Sequence, residues 1–261
     1  MAQMIYLSHG GGPLPILGDA GHAAMVEFLR QLPSRLRRPE AILVISAHWE
    51  ERAATLVGAR TPPLVYDYYG FPEDAYRITY PAPGHPELAK RIAHVLQKRQ
   101  IATHIDLQRG FDHGVFIPLK LMYPNAEIPT LQVSLLRGLN PTAHLALGVA
   151  LRDLMPENLL VVGSGFSFHN MRAFLWEGRP APDPANDAFQ EWLIEVCTGP
   201  MPHAERGQRL VEWEQAPSAR YCHPREEHLL PLHVCLGMAD QPATLVFDDH
   251  ILGKRSVAFV W

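Results

Sequence analysis

Along this chain, short apolar runs alternate with stretches whose apolar positions recur every three to four residues, the mark of strands interleaved with amphipathic helices. Residues 4–7 form a short strand-like run that ends in His9-Gly10-Gly11-Gly12-Pro13, and a helical pattern follows over 21–32. Ala41-Ile42-Leu43-Val44-Ile45-Ser46 is almost wholly apolar and rich in β-branched side chains, which predicts a strand covered on both faces. It leads into Ala47-His48-Trp49, and residues 54–57 read as the next strand. Between 61 and 86 the chain is rich in Pro, Tyr and Gly, a connection long enough to predict a wall or lid over a site.

Further on, 86–99 reads as a helix, 101–105 as a strand, and 114–122 as a helix entered through Phe111-Asp112-His113. A strand over 130–135 precedes a helix over 142–154, which starts behind the cap and first-turn proline Asn140-Pro141. Leu159-Leu160-Val161-Val162 is a second buried strand and runs into Gly163-Ser164-Gly165-Phe166-Ser167-Phe168-His169-Asn170. Residues 184–197 read as helical, 200–222 as irregular or partly helical, and 226–236 as a short helix. Residues 245–247 and 256–260 read as edge strands. With no internal repeat or composition break, the pattern predicts one α/β domain over 1–261, its central, mostly parallel or mixed sheet flanked by helices.

Composition narrows the function classes. Hydrophobic residues make up 47% of the 261 positions and charged residues 19%, as in an ordinary globular protein. The net charge of −4 and the lack of any Lys/Arg cluster argue against a nucleic-acid surface. No apolar run approaches the ~20 residues of a membrane span, and the N-terminus lacks the basic start of a signal peptide. Three cysteines without a CxxC pair argue against a disulfide framework and fit a reducing, cytoplasmic setting. Histidine is the unusual count, at 14.

Position sorts the histidines. Ligands of open α/β sheets bind beyond the carboxyl ends of the strands, and His9, His48, His113 and His169 are expected at or just beyond such ends. Small neighbours (Gly10, Ala47, Gly114) would let a ligand and the backbone come close. Each of the four could equally be a capping or core residue. His94 and His144 fall on helical faces, His22, His104, His203 and His250 in polar or exposed contexts, and His85 and His223 before prolines. His228 and His233, five apart on the predicted C-terminal helix, lie on different faces, so only one of them points into a site. Gly10-Gly11-Gly12 lacks the spacing of a phosphate loop, and Ser164 sits outside a G-x-S-x-G nucleophile elbow. Trp49 and Tyr66 to Tyr69 read either as core or as an aromatic wall for a flat substrate.

Six segments in order resemble the class III extradiol ring-cleavage dioxygenases: His9-Gly10-Gly11-Gly12-Pro13, Ser46-Ala47-His48-Trp49, Tyr80-Pro81-Ala82-Pro83-Gly84, Phe111-Asp112-His113-Gly114, His169-Asn170 and Glu227-His228 with Pro231-Leu232. The resemblance covers residues 4 to 260 and is nearest to the DOPA 4,5-dioxygenase branch, related to the catalytic subunit of protocatechuate 4,5-dioxygenase. It implies metal ligation by His9 and His48, with His228 as the third ligand and Glu227 as its rival. It also implies proton and substrate handling by His113 and His169; we assign His169 as base and His113 as proton donor, with Asp112 orienting His113. The triglycine departs from the Gly-Ser-Pro of many relatives, which bears on the substrate.

The activity implied is extradiol opening of a catechol, DOPA-like or related, by O2 at a mononuclear non-haem Fe(II), a site that Zn(II) would also fit. Competing readings are a zinc-dependent hydrolase on the same histidines and a non-catalytic binding protein of the same fold. No nucleic acid or membrane partner is expected, and monomer and homo-oligomer are both open.

Overall fold

The structure, a computed structural model, describes residues 2–155, 157–176 and 181–261. The first half of the chain runs β1 (Gln3–Ser8), α1 (Ala23–Gln31), β2 (Ala41–Glu51), β3 (Ala54–Val57), α2 (Pro86–Lys98), β4 (Thr103–Asp106) and α3 (His113–Met122). It continues through β5 (Thr130–Leu136), α4 (Pro141–Leu151), β6 (Leu159–Gly165), α5 (Pro184–Thr198) and α6 (His203–Val211). The short α7 (Ala219–Cys222), α8 (Leu230–Met238), β7 (Thr244–Ile251) and β8 (Lys254–Val260) complete it. All eight strands join one mixed sheet in the order β4-β3-β5-β2-β6-β1-β8-β7, the α/β architecture expected. Among the described residues no helix is long and apolar enough to cross a membrane.

The four central strands β5, β2, β6 and β1 are mutually parallel, so their carboxyl ends open on one edge. Both faces are covered, which is why these strands read as continuous apolar runs. Along β2, Ile42 and Val44 enter the core layer shared with α1, α3 and α5, while Leu43 and Ile45 enter the layer shared with α2, α4 and α8. Leu160 and Val162 of β6, and Ile5 and Leu7 of β1, face the first of these layers. The register pairs Leu7 with Ser164 and Ser164 with Ser46 across the sheet. With a side-chain period of two, the next in-phase positions on that face are His9 and His48. Three neighbouring strands thus deliver their polar ends to one spot above α3.

Three boundaries differ from expectation. β2 continues to Glu51, with its register against β5 shifting between Ile45 and Glu50, so His48 lies within a distorted strand rather than beyond its end. α8 begins at Leu230, not 226, with Pro231 in its first turn. A proline there suits a helix start, and His228 is left in the turn before it. β7 and β8 form a long hairpin whose outer residues, Asp248 to His250, are too polar to have been read as strand.

Candidate active site

Five imidazoles line one cavity of about 370 Å³ at the carboxyl edge of the sheet: His9, His48, His113, His169 and His228. His9 follows β1 directly, His48 sits in the bend of β2, and His169 lies four residues past β6. His113 departs from the expected placement, because it opens α3 instead of ending a strand; the preceding strand, β4, stops at Asp106 on the far side of the sheet.

Four of the five rings are turned by an oxygen acceptor beside Nδ1; His48 has a carboxylate oxygen nearby but beyond hydrogen-bond distance. Ser164 Oγ donates to the Gly114 carbonyl and therefore accepts from His9 Nδ1–H, 3.0 Å away. Asp67 Oδ1 accepts from His113 Nδ1 at 2.9 Å and from its backbone N–H at 3.0 Å. The other Asp67 oxygen lies 3.6 Å from His48 Nδ1. Glu227 Oε1 takes His228 Nδ1 at 2.9 Å and His169 Nδ1 at 3.3 Å. With Nδ1–H directed at these oxygens, Nε2 is the lone-pair nitrogen that His9, His113, His169 and His228 offer to the cavity.

Three Nε2 atoms converge. His9 and His48 approach to 2.9 Å, and His228 and His48 to 3.3 Å. Lone pairs at this separation repel one another and suit a shared cation. His9, His48 and His113 also form a compact group, as do His169, Glu227 and His228. In the second group the Glu227 oxygen is already engaged by two Nδ1–H donors. His9 and His48 can thus hold a metal ion together with either His228 or His113, and oxygens bonded to Nδ1 fix the tautomers of His9, His113 and His228, as in known metal sites.

Electrostatics agree. Burial first, and the neighbouring imidazoles second, push the pKa values of His9, His48 and His228 well below the ordinary histidine value, so these rings are neutral lone-pair donors. Burial alone would raise Asp67, but the hydrogen bonds and charge of His113, with His48, hold its carboxyl down at about 2. Burial likewise opposes ionisation of Glu227 and is outweighed by His169 and Arg225, which keep its pKa below the usual value. His169 stacks on His228 with ring centroids 3.3 Å apart, so the two imidazoles act side by side.

The loop that carries His228 passes directly over β6. A Cβ on Gly165 would lie 2.0 Å from the His228 carbonyl oxygen. That oxygen accepts from Phe166 N–H at 3.0 Å and Tyr6 Oη–H at 2.9 Å. Only glycine at 165 permits this approach. Gly114 plays the matching part on α3, where a Cβ would sit 2.4 Å from Ser46 Oγ.

Two sequence expectations change. Asp112 does not hold His113: its buried carboxylate accepts from Ser46 Oγ at 2.7 Å and from Gln132. Ser46 Oγ in turn accepts from the His48 N–H at 3.2 Å, so Asp112 braces the backbone of His48, and Asp67 is the residue that holds His113. The reason is geometric: an N-cap residue projects below the helix start, toward the sheet. His22, expected in a polar or exposed context, has the polar one but is fully buried; its Nε2 accepts from Gly11 N–H at 2.9 Å while Asp19 holds its Nδ1 at 2.7 Å. His233 faces away, its Nε2 donating to the Leu210 carbonyl at 2.8 Å.

Asp67 and Ser164 are the functional residues that pattern reading missed. A lone carboxylate inside Tyr66-Asp67-Tyr68-Tyr69 was the available signal for the first. Ser164 was weighed only as a nucleophile. The long 61–86 connection does form a wall, with Tyr68 and Phe71 lining the cavity.

Comparison with known proteins bears on this geometry. The profile of the family described as the catalytic LigB subunit of aromatic ring-opening dioxygenase matches residues 4–259. The chain is 40% identical to "Dioxygenase tasH" of Hapsidospora irregularis, covering 100% of this chain and 86% of that protein. It is 34% identical to "4,5-DOPA dioxygenase extradiol" of Escherichia coli K12, covering 98% and 93%, and 35% identical to the Beta vulgaris protein of the same name, covering 92% and 87%. An uncharacterized protein of Escherichia coli K12 with a solved structure superposes with a TM-score of 0.80 at 30% identity, over 99% of this chain and 98% of that one.

Proposed function

The chain belongs to the family of catalytic LigB subunits of aromatic ring-opening dioxygenases, and on that premise we propose that His9, His48 and His228 hold one Fe(II) ion while His169 and His113 move the protons. The protein is a metal-dependent extradiol ring-cleaving dioxygenase, an oxidoreductase that uses a small aromatic molecule and O2. The residue roles, the iron and the catechol are our reading, as is the treatment of 1–261 as one catalytic domain. The observation that carries it is the orientation of four imidazoles with Nδ1 toward oxygen, together with the convergence of the Nε2 atoms of His9, His48 and His228.

When bound, a ferrous ion would pass electron density from the catechol, which is the species oxidised, to O2, and would offer open positions at which the two meet. Three neutral imidazoles suit Zn(II) as well, so zinc competes for the same set. His169 Nε2 accepts the proton of a catechol hydroxyl, and Glu227 Oε1, on the far side of the ring, steadies the imidazolium that results. His113 is the proton donor: its Nε2 takes up a proton from water and returns it as the ring opens, while Asp67, on Nδ1, steadies the imidazolium between the two transfers. Asp112 acts at one remove, through Ser46 on the backbone of His48. Tyr68 and Phe71 wall the cavity and keep water from the reacting ring. The ligands and proton carriers all come from one chain, so no second subunit is required. Cys197, Cys222 and Cys235 are free and buried, in keeping with a reducing, cytoplasmic compartment.

The relatives named for 4,5-DOPA make a 4-substituted catechol the first substrate to try. Protein loaded anaerobically with Fe(II) and mixed with such a catechol should consume one O2 per yellow, ring-opened product. His169→Ala should lose about 10²–10⁴-fold in kcat with its metal content intact. Full turnover by that variant would remove His169 as the base. Absence of ring-opened product across a catechol panel, from protein that retains its metal, would remove the reading as a whole.

A further inference from the structure

The mouth of the cavity is apolar and aromatic. Seven large hydrophobic side chains are exposed among the described residues, and three of them, Tyr69 (91%), Met171 (54%) and Trp176 (49%), line this one opening. Apolar side chains gathered at a cavity mouth mark a contact surface, since scattered ones need no explanation. Trp176 packs on Phe174 with ring centroids 5.9 Å apart, and Phe174 meets His169 at 6.3 Å, so the rim is braced against the proposed base.

Among the described residues lining the cavity, this surface carries no cationic side chain, neither Lys nor Arg, to receive an anion. The one carboxylate, Asp67, is turned toward His113 and His48. Tyr68 offers its ring and not its hydroxyl, which is tied to the Ala75 carbonyl at 2.7 Å. The Gly11 amide in the triglycine loop, a candidate carboxylate donor, is already given to His22. At the rim, away from the metal ligands, an anionic substituent would shed its water with no described cationic side chain to face it, which is costly. An alkyl or aryl substituent would cover the exposed rim. The volume, about 370 Å³, falls in the range of small-ligand sites and exceeds what an unsubstituted ring needs.

Resting on the reading of this cavity as the catechol site, we propose that the enzyme selects catechols bearing an uncharged, apolar ring substituent over carboxylated or zwitterionic ones, and that Tyr69, Met171 and Trp176 determine this specificity.

The test uses the Fe(II)-loaded full chain and kcat/KM, from O2 uptake, for catechol, 4-methylcatechol, 4-butylcatechol, 3,4-dihydroxyphenylacetate and L-DOPA. Each methylene buried at the rim should raise kcat/KM about two- to fourfold, and 4-butylcatechol should exceed the carboxylate and L-DOPA by tenfold or more. Trp176→Ala and Met171→Ala should each reduce that preference at least threefold, through KM. Anaerobic calorimetric titration of the catechols should give the same ranking without turnover. Equal or better use of L-DOPA or the carboxylate, or rim variants with an unchanged ratio, overturns the proposal and leaves the dioxygenase standing. Failure to open any catechol overturns both, and is told apart by the missing product.

Discussion

Ser164→Ala removes one oxygen atom from beneath the proposed metal centre, and its consequences can be worked through in sequence. The hydroxyl accepts from His9 Nδ1–H at 3.0 Å and donates to the Gly114 carbonyl, with Ser164 and His9 both buried. Alanine leaves a buried donor and a buried acceptor unpaired, each costing about 1–3 kcal/mol. Partial repair by water or relaxation brings the expected loss of stability to roughly 2–3 kcal/mol. The functional loss is separate. Without an acceptor at Nδ1, the His9 proton can move to Nε2 and block the lone pair, so metal affinity should fall about 10- to 100-fold, or about 1.4–2.7 kcal/mol.

Competition against a chelator under anaerobic conditions measures that affinity for Fe(II), and for Zn(II) in parallel. The control is Leu160→Ala, on the same face of the same strand but in the apolar core. Its cavity should destabilise the protein by about 2–5 kcal/mol while metal affinity stays native. Wild-type affinity in Ser164→Ala, or an equal loss in Leu160→Ala, would refute the claim that Ser164 acts by orienting His9.

Asp67→Asn removes the charge that grips His113 and faces His48, and should lower kcat about 10- to 100-fold; unchanged kcat at full metal loading would contradict the role given to Asp67. Gly165→Ala drives a methyl into the His228 carbonyl and breaks its bonds from Phe166 and Tyr6. A drop in Tm of about 5–15 °C with loss of bound metal is expected, and native Tm and metal content would argue against the close approach. His233 is buried with its pKa lowered to about 4, chiefly by burial. The unfolded chain binds this proton near pH 6.5 and the folded chain does not until about 4, so stability is present above the unfolded value and lost as pH falls through the window. The loss should reach about 2 kcal/mol by pH 5. Denaturation of wild type and His233→Gln at pH 7.5 and 5.0 should show a shallower fall for the variant, whereas parallel falls would exclude His233 as a contributor.

What the sequence determined by itself follows from local periodicity. The apolar runs of β2 and β6 had to be central strands, because only burial on both faces tolerates such composition, and the in-phase positions at their ends had to meet at one edge. His9, after β1, and His48 were expected near that edge on the same pattern, whereas their role as ligands and the choice of His228 over Glu227 came from resemblance. Only the tertiary structure decided which oxygen turns which ring. Asp67 reaches His113 across 46 positions, Ser164 reaches His9 across 155, and Glu227 is drawn away from the converging Nε2 atoms by two Nδ1–H donors. Asp112 was misread because adjacency in sequence suggested contact, while the start of α3 turns its carboxylate toward Ser46 and Gln132. Hydrogen bonds between residues far apart in the chain leave no periodic trace in it, since they depend on strand order and register; the strands that bring the donors together are written in the pattern, and the oxygens that orient them are not.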